Sequence, residues 1–391
     1  MLIQLIVFEL REVMRKPLFW LICLAYAVCA FLFIHNGFRL PDLHVNGPFT
    51  YANILGLLSL GSIFSTAILA VQIVQKDRHS GMDRLLYTLP ITTKSYVAGR
   101  LISLFLASVL SFLPVLPAIW LGSSDLFIEP GRLGEGHWLF WAKPFVLLCL
   151  PNFLFCSVLY GLVAMRSRER AMIFAAAALL YVGYMMVSFV SGAPWLANLS
   201  PASPASAALA AKLDPFGLSA FYEQINNWGP ADKNHLLLKL SGSLLLNRAL
   251  ILIISLGLLV LNMFLFSFQA SKRNSRAKDP PQKRSHHHAV AYQHFVPSPY
   301  KALNITAIAG LISMQLGHIL SRFPFYLFLL VGALLFGSET YFQIEGGQRI
   351  PGRLASSELV LENMLGVLPF FGLILMLYYS NELVWRKRSS G

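Results

Sequence analysis

The chain has 391 residues, of which 56% are hydrophobic and only 13% are charged, and its formal net charge at pH 7 is +13. The mean hydropathy is +0.61. This composition excludes a soluble domain with an ordinary polar surface and predicts a protein that crosses a membrane several times. The apolar runs are continuous and do not alternate at every second residue, so the predicted spans are helices and not barrel strands.

The predicted fold class is an all-α, polytopic helical membrane protein with about eight transmembrane helices. The eight apolar runs lie at 18–34, 54–74, 101–121, 145–165, 172–190, 249–268, 323–336 and 364–379. The last two are short for a full span. None of the eight contains Lys, Arg, Asp or Glu. A buried proton or ion relay therefore has no charged carrier within them, which argues against an ion-coupled transporter.

The N-terminal segment before the first span is amphipathic. Glu9, Glu12, Arg15 and Lys16 fall on one side of a helix, and apolar residues such as Leu2 fall on the other. This pattern predicts a helix that lies at the inner membrane interface and turns into the first span at Pro17.

A charged, helix-forming stretch separates the second and third spans, with the sequence KDRHSGMDRLLYTLP from Lys76. Its charges crowd the first half, while Met82, Leu85, Leu86 and Leu89 recur at a spacing of three to four residues. That spacing gives a helix one apolar stripe, and Pro90 ends it. A short amphipathic helix attached to two spans can pass force to a partner outside the bilayer. An ordinary solvated loop is the alternative interpretation.

The distribution of basic residues predicts the orientation. With the N-terminus inside, 22 of the 31 Lys and Arg residues fall on the cytoplasmic side. The positive-inside rule then places both termini in the cytoplasm. On the opposite side lies the long region 191–248, which contains a Pro, Ser and Ala-rich run and several leucines. It is predicted to be an interfacial cap, with a substrate vestibule as the alternative.

The stretch 269–303 is predicted to be a basic, disordered cytoplasmic linker, because it combines Lys and Arg with several prolines. Anionic membrane lipids are the expected partner of its charge. Nucleic acid is not an expected partner, because the aromatic residues do not interleave the basic cluster. The three consecutive histidines at 286–288 lack the spaced partners of a metal site. The four cysteines lie in apolar runs, so no metal or cofactor is expected.

The region 304–391 repeats the beginning of the chain. The sequence LISMQLGHILSRFPFYLFLLVGALLF from Leu311 parallels the N-terminal segment and first span, with Pro324 in the position of Pro17 after one inserted residue. The next apolar run ends in ELVWRKRSSG, where a second charged stretch is expected to begin. This region is therefore predicted to hold the first two helices of a second repeat, cut short by truncation.

Together, the N-terminal helix, the Pro-bounded first span and KDRHSGMDRLLYTLPITTKSYVAGR resemble the type-2 ABC exporter permeases. The stretches LDPFGLSA, NNWGPADKN, LLLNR and YYSNELVWRKR resemble more closely the duplicated permease part of bacterial permease and zinc-aminopeptidase fusion proteins. The resemblance implies a six-helix permease unit at 1–268, with a coupling helix at 75–90 that docks on an ATPase. The implied ATPase-coupling residues are Asp77, Arg78, Gly81, Asp83, Arg84, Leu85, Leu86, Leu89 and Pro90.

Two motifs are missing from the sequence. There is no H-E-x-x-H zinc motif and no G-x-x-x-x-G-K-[ST] phosphate-binding loop, so no peptidase or ATPase chemistry is assigned to the chain. The resemblance therefore implies a transporter permease in the bacterial inner membrane, partnered by an ABC ATPase and by a second permease half or a second copy. The alternatives are the membrane anchor of a permease and aminopeptidase fusion, or a non-transporting remnant or scaffold.

Overall fold

The computed structural model describes residues 2–37, 42–76, 92–124, 127–128, 130–167, 169–191, 193, 204–266 and 305–320, with isolated positions between 325 and 376. Most of these residues are helical and none of them is in a strand, so the predicted all-α class is confirmed for the part of the chain that is described. In chain order the α-helices are α1 (Leu2–Met14), α2 (Pro17–Leu32), α3 (Pro48–Ser59), α4 (Ser62–Ile73), α5 (Thr93–Phe112), α6 (Val115–Gly122), α7 (Leu139–Pro144), α8 (Leu150–Arg166), α9 (Arg170–Val190), α10 (Pro204–Leu213), α11 (Leu218–Ile225), α12 (Pro230–His235), α13 (Gly242–Leu265) and α14 (Ile305–Leu320).

Long apolar helices dominate this architecture, as expected for a multi-pass membrane protein. Among the described residues, five stretches are long and apolar enough to cross a bilayer: Pro17–His35, Thr93–Gly122, Leu139–Arg166, Arg170–Ser188 and Gly242–Leu265. Helices α3 and α4, which are bent by 45°, form a sixth if the pair is counted as one span. The first six predicted spans each have a counterpart here. The spans predicted at 323–336 and 364–379 fall where only isolated positions are described, and the linker at 269–303 lies outside the described residues.

Helix α8 lies at the centre of the bundle, packed against α4, α5, α9 and α13. It runs parallel to α3 and α4. Hydrogen bonds join the two spans at Cys149 and Leu55, Asn152 and Ser59, Cys156 and Ser62, and Ser167 and Gln75, always 92 to 94 residues apart in the chain. This nearly constant offset means that the two spans lie in register from one end of the bundle to the other.

The two ends of the bundle differ. The end that carries residues 76 and 92, on either side of the predicted coupling segment, is called the loop end. The opposite end, covered by α10, α11 and α12, is called the cap end. The cap has its own small core, shared with α3 and α13, which comprises Phe49, Ala52, Leu148, Ala211, Ala220, Phe221, Ile225, Leu238 and Leu244. The region predicted as a cap or a vestibule therefore contains a folded helical layer packed on the bundle.

The bend between α3 and α4 is held by a tyrosine of α2. A Cβ atom added to Gly61 would lie 2.8 Å from Cε1 of Tyr26 and 2.9 Å from its hydroxyl. The same hydroxyl forms a 2.8 Å hydrogen bond with Oγ of Ser65, one turn further along α4. Only glycine allows this close approach of a ring to the backbone, so the bend depends on the pairing of Gly61 with Tyr26.

The predicted N-terminal helix is present as α1, but its orientation differs from the amphipathic prediction. Glu9 is 1% exposed, whereas Ile3 is 74% exposed. The helix crosses α5 at Gly99, where an added Cβ would lie 2.6 Å from Cδ2 of Leu5. The acidic side of α1 therefore faces the bundle, because cationic partners for Glu9 lie there.

Candidate functional site

The predicted ATPase-coupling residues, from Asp77 to Pro90, lie outside the described residues. The structure does describe the two points at which this segment joins the bundle. Gln75 and Lys76 follow α4 directly, and Thr92 immediately precedes α5. The candidate functional site is therefore the loop end, where these flanking residues are fixed to the rest of the protein.

A cluster of ion pairs lies at the loop end. Oε1 of Glu9 is 2.6 Å from Nη1 of Arg100, and its Oε2 is 2.6 Å from Nζ of Lys76. Lys76 also pairs with Glu12, which in turn pairs with Lys16 at 3.1 Å. These contacts join α1, α5 and the residue that precedes the coupling segment. The loop-end cluster is defined as these five side chains.

The centre of the loop-end cluster is removed from water. Arg100 is 2% exposed, and Glu9 is similarly buried. Taking a charge out of water costs several kcal/mol, so such a pair persists only because opposite charges are in contact. Burial raises the pKa of Glu9, and the nearby Arg100 and Lys76 oppose that shift. Burial also acts to raise the pKa of Glu12, but the hydrogen bonds from Lys76 and Lys16 outweigh it and lower this pKa.

Arg100 fastens two further elements together. Its Nη1 donates a 2.9 Å hydrogen bond to the carbonyl of Ile73, the last residue of α4. Carbonyls at a helix C-terminus have no partner within the helix and carry partial negative charge, so a guanidinium is stabilising there. One side chain of α5 therefore holds both α1 and the end of α4.

Gln75 connects the same region to the turn between α8 and α9. Its Nε2 donates to the carbonyls of Ser167 at 3.2 Å and Glu169 at 3.3 Å. On the other side of the coupling segment, Oγ1 of Thr92 accepts a 3.3 Å hydrogen bond from the backbone N–H of Ser95 and caps α5. Caps of this kind stabilise a helix start by about 1 kcal/mol. Both ends of the segment are thus attached to ordered structure.

The sequence reasoning did not identify this cluster. Glu9 was predicted on the polar side of an interfacial helix, and the charges flanking the spans were used only for orientation. A signal was available, because a carboxylate and a guanidinium at the edges of apolar segments are costly unless they are paired. The pairing itself involves side chains from three separate parts of the chain, so the sequence alone could not reveal it.

A second buried charge lies at the cap end. The sixth span was predicted to begin at 249, but α13 begins at Gly242, and Arg248 therefore lies inside the helix at 3% exposure. The predicted span 249–268 contains no charge, but the helix that carries it extends beyond that span and includes this arginine. The guanidinium donates to Oδ1 of Asn152 at 3.0 Å and, through Nε, to Oδ1 of Asn247 at 2.9 Å. These acceptors replace water and permit the burial.

Arg248 lies against a tight turn of the cap. The carboxylate of Asp214 accepts backbone N–H bonds from Phe216, Gly217 and Ser219 at 2.7 to 3.0 Å. Gly217 has φ +71°, and a Cβ there would meet the Arg248 guanidinium. Two stretches that carry the family resemblance, LDPFGLSA and LLLNR, thus form one cluster that fixes the cap to α8 and α13.

The third stretch, NNWGPADKN, also holds the cap in place. The side chain of Asn234 accepts from the backbone N–H of His44 at 2.8 Å and donates to the carbonyl of Asp42 at 3.0 Å. Asn234 thus connects the cap to the residues that precede α3. Within the described residues, no group of three or more His, Cys, Asp or Glu side chains is placed to bind a metal ion.

A scan against models of known protein families gives no match for the chain. A search of curated proteins also gives no match.

Proposed function

We propose that the chain is the membrane-spanning permease subunit of an ABC transporter, an exporter of the bacterial inner membrane with both termini in the cytoplasm. A separate ATPase subunit would dock on the segment 77–90. The observation that supports this proposal most is the loop-end cluster, because it places buried ion pairs at the root of that segment. A solvated surface loop has no need of such an attachment, whereas a segment that transmits force does.

The contacts of Gln75, Lys76 and Arg100, which lie next to the segment, favour a particular route for the force. Lys76 is paired with α1, Gln75 is bonded to the α8–α9 turn, and Arg100 holds α1 and α4 to α5. A displacement of the docked segment would therefore reach these helices together. Nucleotide-driven closure of the ATPase would rock them and open a path between two permease halves. The second half would come from a second copy or from a complementary half.

Different residues of the segment would have different roles in docking. The charges of Asp77, Arg78, Asp83 and Arg84 would orient the ATPase, since charged groups mainly set the rate and register of association. The stripe of Leu85, Leu86 and Leu89 would supply the apolar contact that holds it. Gly81 would allow close approach near the start, and Pro90 would end the helix.

Docking is tested by co-expressing the chain with its cognate ABC ATPase and purifying the pair. The double variant Leu85→Asp and Leu86→Asp should abolish recovery of the ATPase, because two carboxylates would replace the apolar contact. Leu240→Asp is the matched control, since Leu240 is an exposed leucine at the cap end. It should leave recovery unchanged. Full recovery with the double variant would refute docking at 77–90.

Coupling is tested separately from docking. In nanodiscs that contain both subunits, the double variant Glu9→Gln and Arg100→Met should still bind the ATPase. It should no longer stimulate ATP hydrolysis, because the root of the segment has lost its central ion pair. A membrane anchor or an inactive scaffold predicts no stimulation by the unaltered chain either, which distinguishes these alternatives from a working permease.

A further inference from the structure

A groove of about 320 Å³ lies at the cap end, between the C-terminal half of α9 and the cap elements α10 and α11. Leu179, Val187 and Leu213 line it, and each is an exposed apolar side chain. Helix α9 is one of the helices suited to cross the bilayer. We expect the exposed side chains of such a helix to contact lipid, in which case the groove opens sideways into the membrane.

The lining of the groove is mainly apolar, and the polar residues on its floor are Tyr184, Ser188, Asp214 and Ser219, all of them buried. The Tyr184 hydroxyl is hydrogen-bonded to Ser188 and Asp214. Backbone N–H groups already bind this carboxylate, and Arg248 is buried beside the same turn. Arg248 does not line the groove; it donates to Asn152 and Asn247, and its charge also lies close enough to act on Asp214. The groove thus presents hydroxyls, and the carboxylate on its floor is already compensated by backbone N–H groups and by Arg248.

We propose that this groove binds a single-chain amphiphile that enters from the bilayer, with its alkyl chain along α9 and an uncharged, hydroxyl-bearing head on the polar floor. A hydroxyl head exchanges hydrogen bonds with the floor oxygens, whereas a phosphate or carboxylate head would lose its water without gaining an unpaired cation. The volume is at the lower end of the range of about 300–1,000 Å³ for small-molecule sites. That size suits one chain with a small head.

Binding in this groove requires only the membrane-embedded fold. Its use as the entry site of exported cargo rests on the proposed function. The groove is tested in nanodiscs without any ATPase, so a failure here would leave the docking proposal intact. Conversely, failure of docking would leave the groove intact.

The probe is a monoacylglycerol with a photoreactive diazirine in its alkyl chain. After illumination, mass spectrometry should place the cross-links within 179–191 and 210–219. An added Cβ at Gly183 meets nothing within 4 Å, so Gly183→Leu fits the helix and fills the groove. We expect this variant to lower labelling about tenfold. Gly257→Leu is the matched control, because Gly257 of α13 has equally open surroundings. It should leave labelling unchanged.

The head-group preference is tested with a fatty acid that carries the same photoreactive chain. We expect about tenfold weaker labelling at neutral pH, because its carboxylate would leave water without gaining an unpaired cation. Equal labelling by the two probes would overturn the head-group assignment. Labelling spread evenly over the lipid-facing helices, or unchanged by Gly183→Leu, would overturn the site itself. An absence of labelling in the unaltered chain would also overturn it.

Discussion

Removal of one partner from the Glu9 and Arg100 pair should destabilise the protein far more than removal of both. In Arg100→Met the carboxylate of Glu9 stays buried and keeps Lys76 as a partner, while the carbonyl of Ile73 loses its donor. In the double variant Glu9→Gln and Arg100→Met, the carboxylate and the guanidinium are removed together, so neither is left buried without the other. The two charges are thus expected to couple strongly in a double-mutant cycle.

The size of the effect follows from the geometry. Two unit charges 2.6 Å apart attract by about 6 kcal/mol at an effective dielectric constant of about 20. Desolvation of both groups offsets much of this attraction. Removal of one partner of a buried pair costs about 3–5 kcal/mol, and Lys76 should keep the cost of Arg100→Met near the lower value. We expect a coupling energy of about 2–3 kcal/mol between the two sites.

The measurement is the apparent Tm of the purified variants in one detergent, followed by tryptophan fluorescence. Arg100→Met should lower it by roughly 5–10 °C, and the double variant should recover at least half of that loss. Lys16→Met is the control, because Lys16 belongs to a partly exposed ion pair and such pairs contribute about 0–1 kcal/mol. If the double variant shows the sum of the two single effects, the direct ion pair does not exist.

Two glycines give further predictions at defined positions. Gly217→Ala should lower the free energy of unfolding of the cap by at least about 2 kcal/mol more than Gly242→Ala. Both glycines have positive φ, but only a Cβ at Gly217 would lie against the Arg248 guanidinium. Limited proteolysis of the cap measures this, and equal cleavage rates would contradict the packing argument. Gly61→Val should destabilise by about 1–3 kcal/mol through overpacking against Tyr26. Tyr26→Ala in the same chain should relieve part of this loss in a thermal unfolding assay, whereas no relief would exclude the clash.

The sequence predicted the helical elements well where apolar runs are continuous. The first span was placed at 18–34, and the corresponding helical stretch is Pro17–His35. The sixth apolar span was predicted to begin at 249, just after Arg248. Helix α13 begins seven residues earlier, at Gly242. Asn152, the partner of Arg248, lies 96 residues earlier in the chain. Local patterns predict where a helix is apolar, but they cannot predict that a distant amide will satisfy a charge within it.

The sequence directs attention to the junction between the second and third spans, but it does not indicate which side chains meet there. It could not assign Glu9 to that junction, because the amphipathic pattern of α1 is equally compatible with acidic residues facing water. Only the three-dimensional crossing of α1 over α5 at Gly99 brings the carboxylate to Lys76 and Arg100.

The matching register of α3, α4 and α8 has a mechanical consequence. Sliding of one span along the other would break the hydrogen bonds at Asn152, Cys156 and Gln75 together. The two spans should therefore move as one rigid unit. Asn152 also donates to the carbonyl of Phe216 in the cap turn. A displacement of these spans at the loop end would therefore be transmitted to the cap end, and the cap would move with them.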